Sequence, residues 1–121
     1  MYSDYADINL ARNHQVSLKD LINRHPGSGA DWRTLRRVLA LCQAATDAID
    51  DEYCRAKLHL VSECAGELFS YDGKRAEFLK LQILNALDLY SSRLYNIEAA
   101  RRPPSLRKPK FARLREQAAA R

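Results

Sequence analysis

Residues 46–52 read TDAIDDE, and whether one helix passes through them decides the fold. Upstream, Leu35, Val38/Leu39, Cys42, Ala45 and Ile49 recur every three or four residues. Downstream, Tyr53, Ala56, Leu60, Cys64 and Leu68 continue the same spacing. An apolar line that keeps its phase through the acids predicts a single helix, about 55 to 60 Å long at 1.5 Å per residue. A kink near Asp50 is the alternative reading. Asp31 is suited to cap the start of this helix, because its carboxylate can accept from the free amides of the first turn, and SYDG at 70–73 supplies a stop.

Beyond that stop, Ala76, Leu79, Ile83, Leu87, Tyr90, Leu94 and Ile97 form the stripe of a second helix over about residues 74–101, closed by Pro103 and Pro104. Two long helices joined by a short turn predict an antiparallel hairpin over residues 31–102. The second helix carries a further line, Phe78, Leu81, Asn85, Leu89, Ser92 and Asn96, on another face. A short helix SLKDLINRH at 17–25, capped by Ser17 and halted at Pro26-Gly27 within an N-terminal segment of residues 1–30, is expected to cover part of it through Leu18, Leu21 and Ile22. The fold class is all-α. A two-helix hairpin buries too little surface to offset the entropy of ordering it, so a homodimer is expected to complete the bundle, with Asn85 and Asn96 either setting register or facing solvent.

Composition agrees with a folded chain: 121 residues, 46% hydrophobic and 29% charged. Apolar residues never run unbroken for the roughly 18 positions of a membrane span, and the N-terminus lacks the pattern of a secretory signal, so a cytoplasmic location is expected. Cys42, Cys54 and Cys64 are odd in number and lack zinc-ligand spacing, which reads as buried apolar positions rather than disulfides or a metal site.

Charge is distributed unevenly. Residues 101–121 hold eight cations and one acid, a net +7, while the other hundred residues hold twelve cations and fourteen acids, a net −2. The tail at 103–121 contains three prolines and reads as an extended cationic arm, with KFARLREQAAAR at 110–121 able to form a short helix on a partner. Arg101, Arg102, Arg107, Lys108, Lys110, Arg113 and Arg115 are candidate phosphate contacts, and Phe111 and Leu114 the apolar side of the arm. A membrane surface is a poorer partner, since those two residues offer little apolar area. The acidic belt Asp47, Asp50, Asp51 and Glu52 is a further possible target for the arm. Arg33, Arg36 and Arg37 form a second cationic group beside Trp32, whose ring is expected to anchor the helix start in the core and otherwise to stack on bases. No recognition helix is evident, so contact is expected mainly with the nucleic-acid backbone.

Motifs for chemistry are wanting. His14, His25 and His59 are dispersed, Arg55 and His59 read as a surface pair, and PGSG at 26–29 lacks the Gly-Lys-Ser/Thr of a phosphate loop. Glu63 and Glu67 have no matching His for a di-metal site. The sequence thus points to a non-enzymatic accessory or regulatory protein without cofactor or metal, which self-associates and binds nucleic acid or a nucleoprotein complex through its tail. The alternative is a helical adaptor or chaperone that captures a partner protein along Phe78, Leu81 and Leu89.

Overall fold

Four helices, α1 (Ile8–Asn23), α2 (Trp32–Ala48), α3 (Glu52–Leu68) and α4 (Ala76–Arg101), make up the protein in a computed structural model that describes residues 7–25, 30–70 and 75–101. No strand occurs among the described residues.

Three of the helices open on an aspartate. Asp7 accepts from the Leu10 amide at 3.0 Å, Asp31 from the Thr34 amide at 3.0 Å and the Thr34 hydroxyl at 2.6 Å, and Asp51 from the Cys54 amide at 3.0 Å. Each carboxylate satisfies a donor that the first turn cannot satisfy internally.

The cap at Asp51 overturns the single long helix. Ile49 leaves the helical region for extended backbone (φ −133°, ψ 118°), Asp51 is extended as well, and α3 begins afresh at Glu52. The local chemistry favours the break: Asp side chains compete for backbone amides, and β-branched Ile49 suits an extended conformation. Ile49 is also buried, so the turn is pinned into the core. The chain then reverses. At the far end of the pair, the Asp31 amide donates to the Phe69 carbonyl at 2.9 Å, which sets α2 and α3 antiparallel.

Phase changes at the same point. The buried line of α2 is Leu35, Val38, Cys42, Ala45 and Ala48, whereas that of α3 is Cys54, Leu58, Val61, Ala65 and Leu68. Tyr53 and Ala56, expected inside, are exposed, and Leu60 and Cys64 are half-buried. On α4 the expected stripe from Ala76 to Ile97 is buried throughout, joined by Ala86.

Helix α1 is longer than expected, capped by Asp7 rather than by Ser17, and it enters the core through Ile8, Ala11, Leu18 and Ile22. It packs between α2 and α4, while α3 packs between the same two on the other side. The Asp7 amide donates to the Ala48 carbonyl at 2.9 Å, tying the start of α1 to the end of α2. Ion pairs fix the remaining neighbours: Arg12 with Glu98 and Lys19 with Asp88 between α1 and α4, Arg93 with Asp51 and Arg75 with Glu67 between α3 and α4. Low residue numbers of one helix meet high numbers of the next in every case. The result is an up-down-up-down four-helix bundle. One chain closes it, so completing a bundle does not require a second copy. The expected partial cover of the α4 side line does not occur: Leu18, Leu21 and Ile22 are buried in the core, and Phe78, Leu81, Asn85, Leu89, Ser92 and Asn96 are all exposed.

Candidate functional site

Arg101 and the group Arg33, Arg36 and Arg37 lie at opposite ends of the bundle. Arg33, Arg36 and Arg37 are exposed on the first turns of α2, beside the end of α3, whereas Arg101 is exposed at the end of α4 near the start of α1. A 17-residue helix separates the ends by about 25 Å. Arg102, Arg107, Lys108, Lys110, Arg113 and Arg115, with Phe111 and Leu114, lie outside the described residues, as do residues 26–29 and 71–74.

Trp32 is 61% exposed, which corrects the expected anchoring role. The inward line of α2 begins at Leu35, and Trp32 stands one turn before it, where the bundle has already ended in the Asp31–Phe69 contact. An indole among exposed arginines is left facing solvent. The arginines sit where the positive end of the helix dipole slightly disfavours cations.

The acidic belt shares the end from which the tail departs, but its charges are partly engaged. Asp50 pairs with Arg55 at 3.1 Å, Asp47 accepts from the Gln43 amide group at 3.0 Å, and Asp51 is held by Arg93. The Arg93 guanidinium, with help from the Cys54 amide, holds the Asp51 carboxyl down to about 2 despite the opposing effect of burial.

Between α2 and α3 runs an open groove of about 350 Å³. Leu39, Cys42, Gln43 and Thr46 line it from α2, and Arg55, Leu58, His59 and Ser62 from α3. Cys42 and Leu58 are buried at its floor, and burial pushes the Cys42 thiol up. Thr46 turns its hydroxyl back to the Cys42 carbonyl at 2.8 Å, and His59 Nε2 stands 3.6 Å from Glu63. Arg55 and His59 are thus surface residues, as read from sequence, yet both border this groove. Gln43, Thr46 and Ser62 were not singled out, because polar residues on a helix flank carry no motif and only the break at Ile49 brings α2 and α3 face to face.

Phe78, Leu81 and Leu89 form an exposed row on α4, at 51, 64 and 38% exposure, with Arg75 over the Phe78 ring at 5.3 Å. Asn85 and Asn96 are exposed as well.

The histidines are not brought together: His14 lies along α1, His25 just beyond it and His59 on α3, which is diagonal to α1. His25 is buried edge-on against Phe69, ring centroids 4.9 Å apart, and burial followed by nearby Lys80 pushes its pKa down. Among the described residues no three His, Cys, Asp or Glu side chains are grouped to hold a metal ion, and no helix is long and apolar enough to cross a membrane. Comparison with known proteins returned no matching family model, no matching curated protein and no matching solved structure.

Proposed function

We propose that the chain is a small, non-enzymatic accessory or regulatory protein of the cytoplasm that binds nucleic acid or a nucleoprotein complex, with the bundle as platform and the tail as principal contact. The observation that carries this reading is the division of charge: a net +7 in residues 101–121 attached to a body of net −2. A segment of that density releases counterions when it meets phosphates, which gives affinity without a recognition helix. Exposed Arg33, Arg36 and Arg37 add a second cationic surface at the other end of the bundle.

The test is binding of the full chain and of a chain lacking residues 102–121 to short labelled DNA and RNA across a salt series. Binding that weakens steeply with salt in the full chain, and whose salt slope collapses on deletion, supports the reading. Weak, salt-independent binding by both forms refutes it.

Exposed Phe78, Leu81 and Leu89 favour a second reading, in which α4 is an association face. Self-association through this row makes the protein a homodimer; capture of another protein's helix on it makes the protein an adaptor or chaperone.

A further inference from the structure

Trp32, Arg36, Leu39, Gln43 and Thr46 follow one another at steps of four, three, four and three residues and therefore share one side of α2. The last three line the groove against α3, so Trp32 and Arg36 prolong that wall toward the end where Asp31 meets Phe69. On α3, Gly66 stands four residues beyond Ser62 and prolongs the opposite wall. A Cβ placed on Gly66 meets nothing within 4 Å. Because the helices are antiparallel and Leu39 and Ser62 border the same groove, Gly66 falls across from Arg36. The line of the groove thus runs on to an exposed indole and an exposed arginine.

We propose that this prolonged groove seats a single-stranded nucleic acid. Trp32 stacks on a base, Arg36 and Arg55 meet backbone phosphates, and Gln43, Thr46 and Ser62 offer hydrogen bonds to sugars or base edges. The proposal rests on the nucleic-acid reading above and assigns it a second contact, away from the tail. From Trp32 to Thr46 the wall is about 21 Å long, which at about 3.4 Å per stacked nucleotide admits about six. A duplex keeps its base faces inside the stack, where the indole cannot reach them; a single strand presents them. Two acids lie toward the groove's other end, where Asp50 holds Arg55 at 3.1 Å and Asp47 accepts from the Gln43 amide group, while Glu63, next to Ser62 and 3.6 Å from His59, lies on the flank nearer Gly66. A strand engages Trp32 and Arg36 at one end, and at the other its phosphate competes with Asp50 for Arg55.

Trp32 is the only tryptophan in the chain, so its fluorescence reports this end of the groove without a label. The full chain is titrated with eight-nucleotide oligothymidylate and oligouridylate and with a duplex of equal length, while binding is followed separately by a dye on the nucleic acid. Quenching by the single strands and not by the duplex is expected. Trp32→Ala should weaken single-strand binding about five- to a hundred-fold, as loss of one stacked base does. Arg36→Ala and Gly66→Leu should reduce the quenching, and Asp50→Asn should tighten binding about two- to five-fold by releasing Arg55. Circular dichroism checks the fold of Gly66→Leu, and Arg36→Ala, at an exposed position, stands as an independent variant. Dye-reported binding that depends on residues 102–121 but leaves Trp32 unquenched, or equal quenching by duplex, overturns the groove and leaves the nucleic-acid reading standing. No binding of any of these probes by the full chain overturns both.

Discussion

Arg93 of α4 holds Asp51 of α3 with two nitrogens, Nε to Oδ2 at 3.1 Å and Nη2 to Oδ1 at 2.8 Å, while Oδ2 also accepts from the Cys54 amide at 3.0 Å. One carboxylate thereby caps a helix, fixes its register against α4 and marks the point where the chain turns back. The Asp51 side chain is 14% exposed but that of Arg93 is 41% exposed, so solvent screens the pair in part.

Asp51→Ala should cost about 2 kcal/mol, since it removes a cap worth about 1 kcal/mol and leaves Arg93 without its partner. The carboxyl is held at about 2 in the folded chain, below its ordinary 3.8. Its contribution is therefore complete above pH 4 and lost as pH falls toward 2. Urea melts between pH 7 and 2 should show this loss in the native protein and a smaller one in Asp51→Asn.

Tyr90 is fully buried, and among the described residues its hydroxyl has no hydrogen-bond partner. Burial, with Cys54 and Cys42 nearby, pushes the phenol well above its usual range. Removing only the hydroxyl should leave stability unchanged or raise it by about 1 kcal/mol, whereas Tyr90→Ala should cost about 3 to 5 kcal/mol through the cavity it opens. Thermal melts of Tyr90→Phe and Tyr90→Ala test the contrast.

The reversal at Ile49–Asp51 predicts that Trp32 and Ser70 are neighbours. A continuous helix would hold them about 57 Å apart. A short-range quencher attached to Ser70→Cys, in a Cys64→Ala background, should therefore quench Trp32 strongly, and the quenching should vanish in urea.

Substitutions on the α4 row should leave the bundle intact. Leu81→Asp and Leu89→Asp change exposed positions and should alter stability by no more than about 0.5 kcal/mol. Sedimentation should give a dimer for the native chain and a monomer for the double variant. A native chain that is monomeric at tens of micromolar leaves the row to a different protein.

Helix α4 was legible in the sequence because its inward residues, from Ala76 to Ile97, keep one phase for the whole element and nothing interrupts them. The cap at Asp31 was legible for the same local reason. The turn at Ile49 was not: Tyr53, Ala56, Leu60 and Cys64 offer a second apolar line that continues α2 in phase, and spacing alone cannot tell it from Cys54, Leu58, Val61 and Ala65. The choice is made by a contact distant in sequence, Arg93 on Asp51, and by the return of α3 along α2. The position of Trp32 was misread with it, since a ring at the start of a long helix has a neighbour to pack on, whereas one at the end of a four-helix bundle meets solvent. Gly66 carries no sequence signal, because a lone glycine in a helix reads only as a weak point until the space beside it is known.

Cys54 is buried among the helices and Cys42 at the floor of the α2–α3 groove, and burial raises both thiols, Cys54 to about 12. A cysteine attacks as its thiolate, so at neutral pH neither sulfur reacts while the helices stay together. Alkylation of these two positions must wait for the bundle to part, and its rate relative to the unfolded chain times that opening. Half-buried Cys64 sets the fast end of the scale. The chain thus contains its own clock for helix separation, already wound by the packing that hides the thiols.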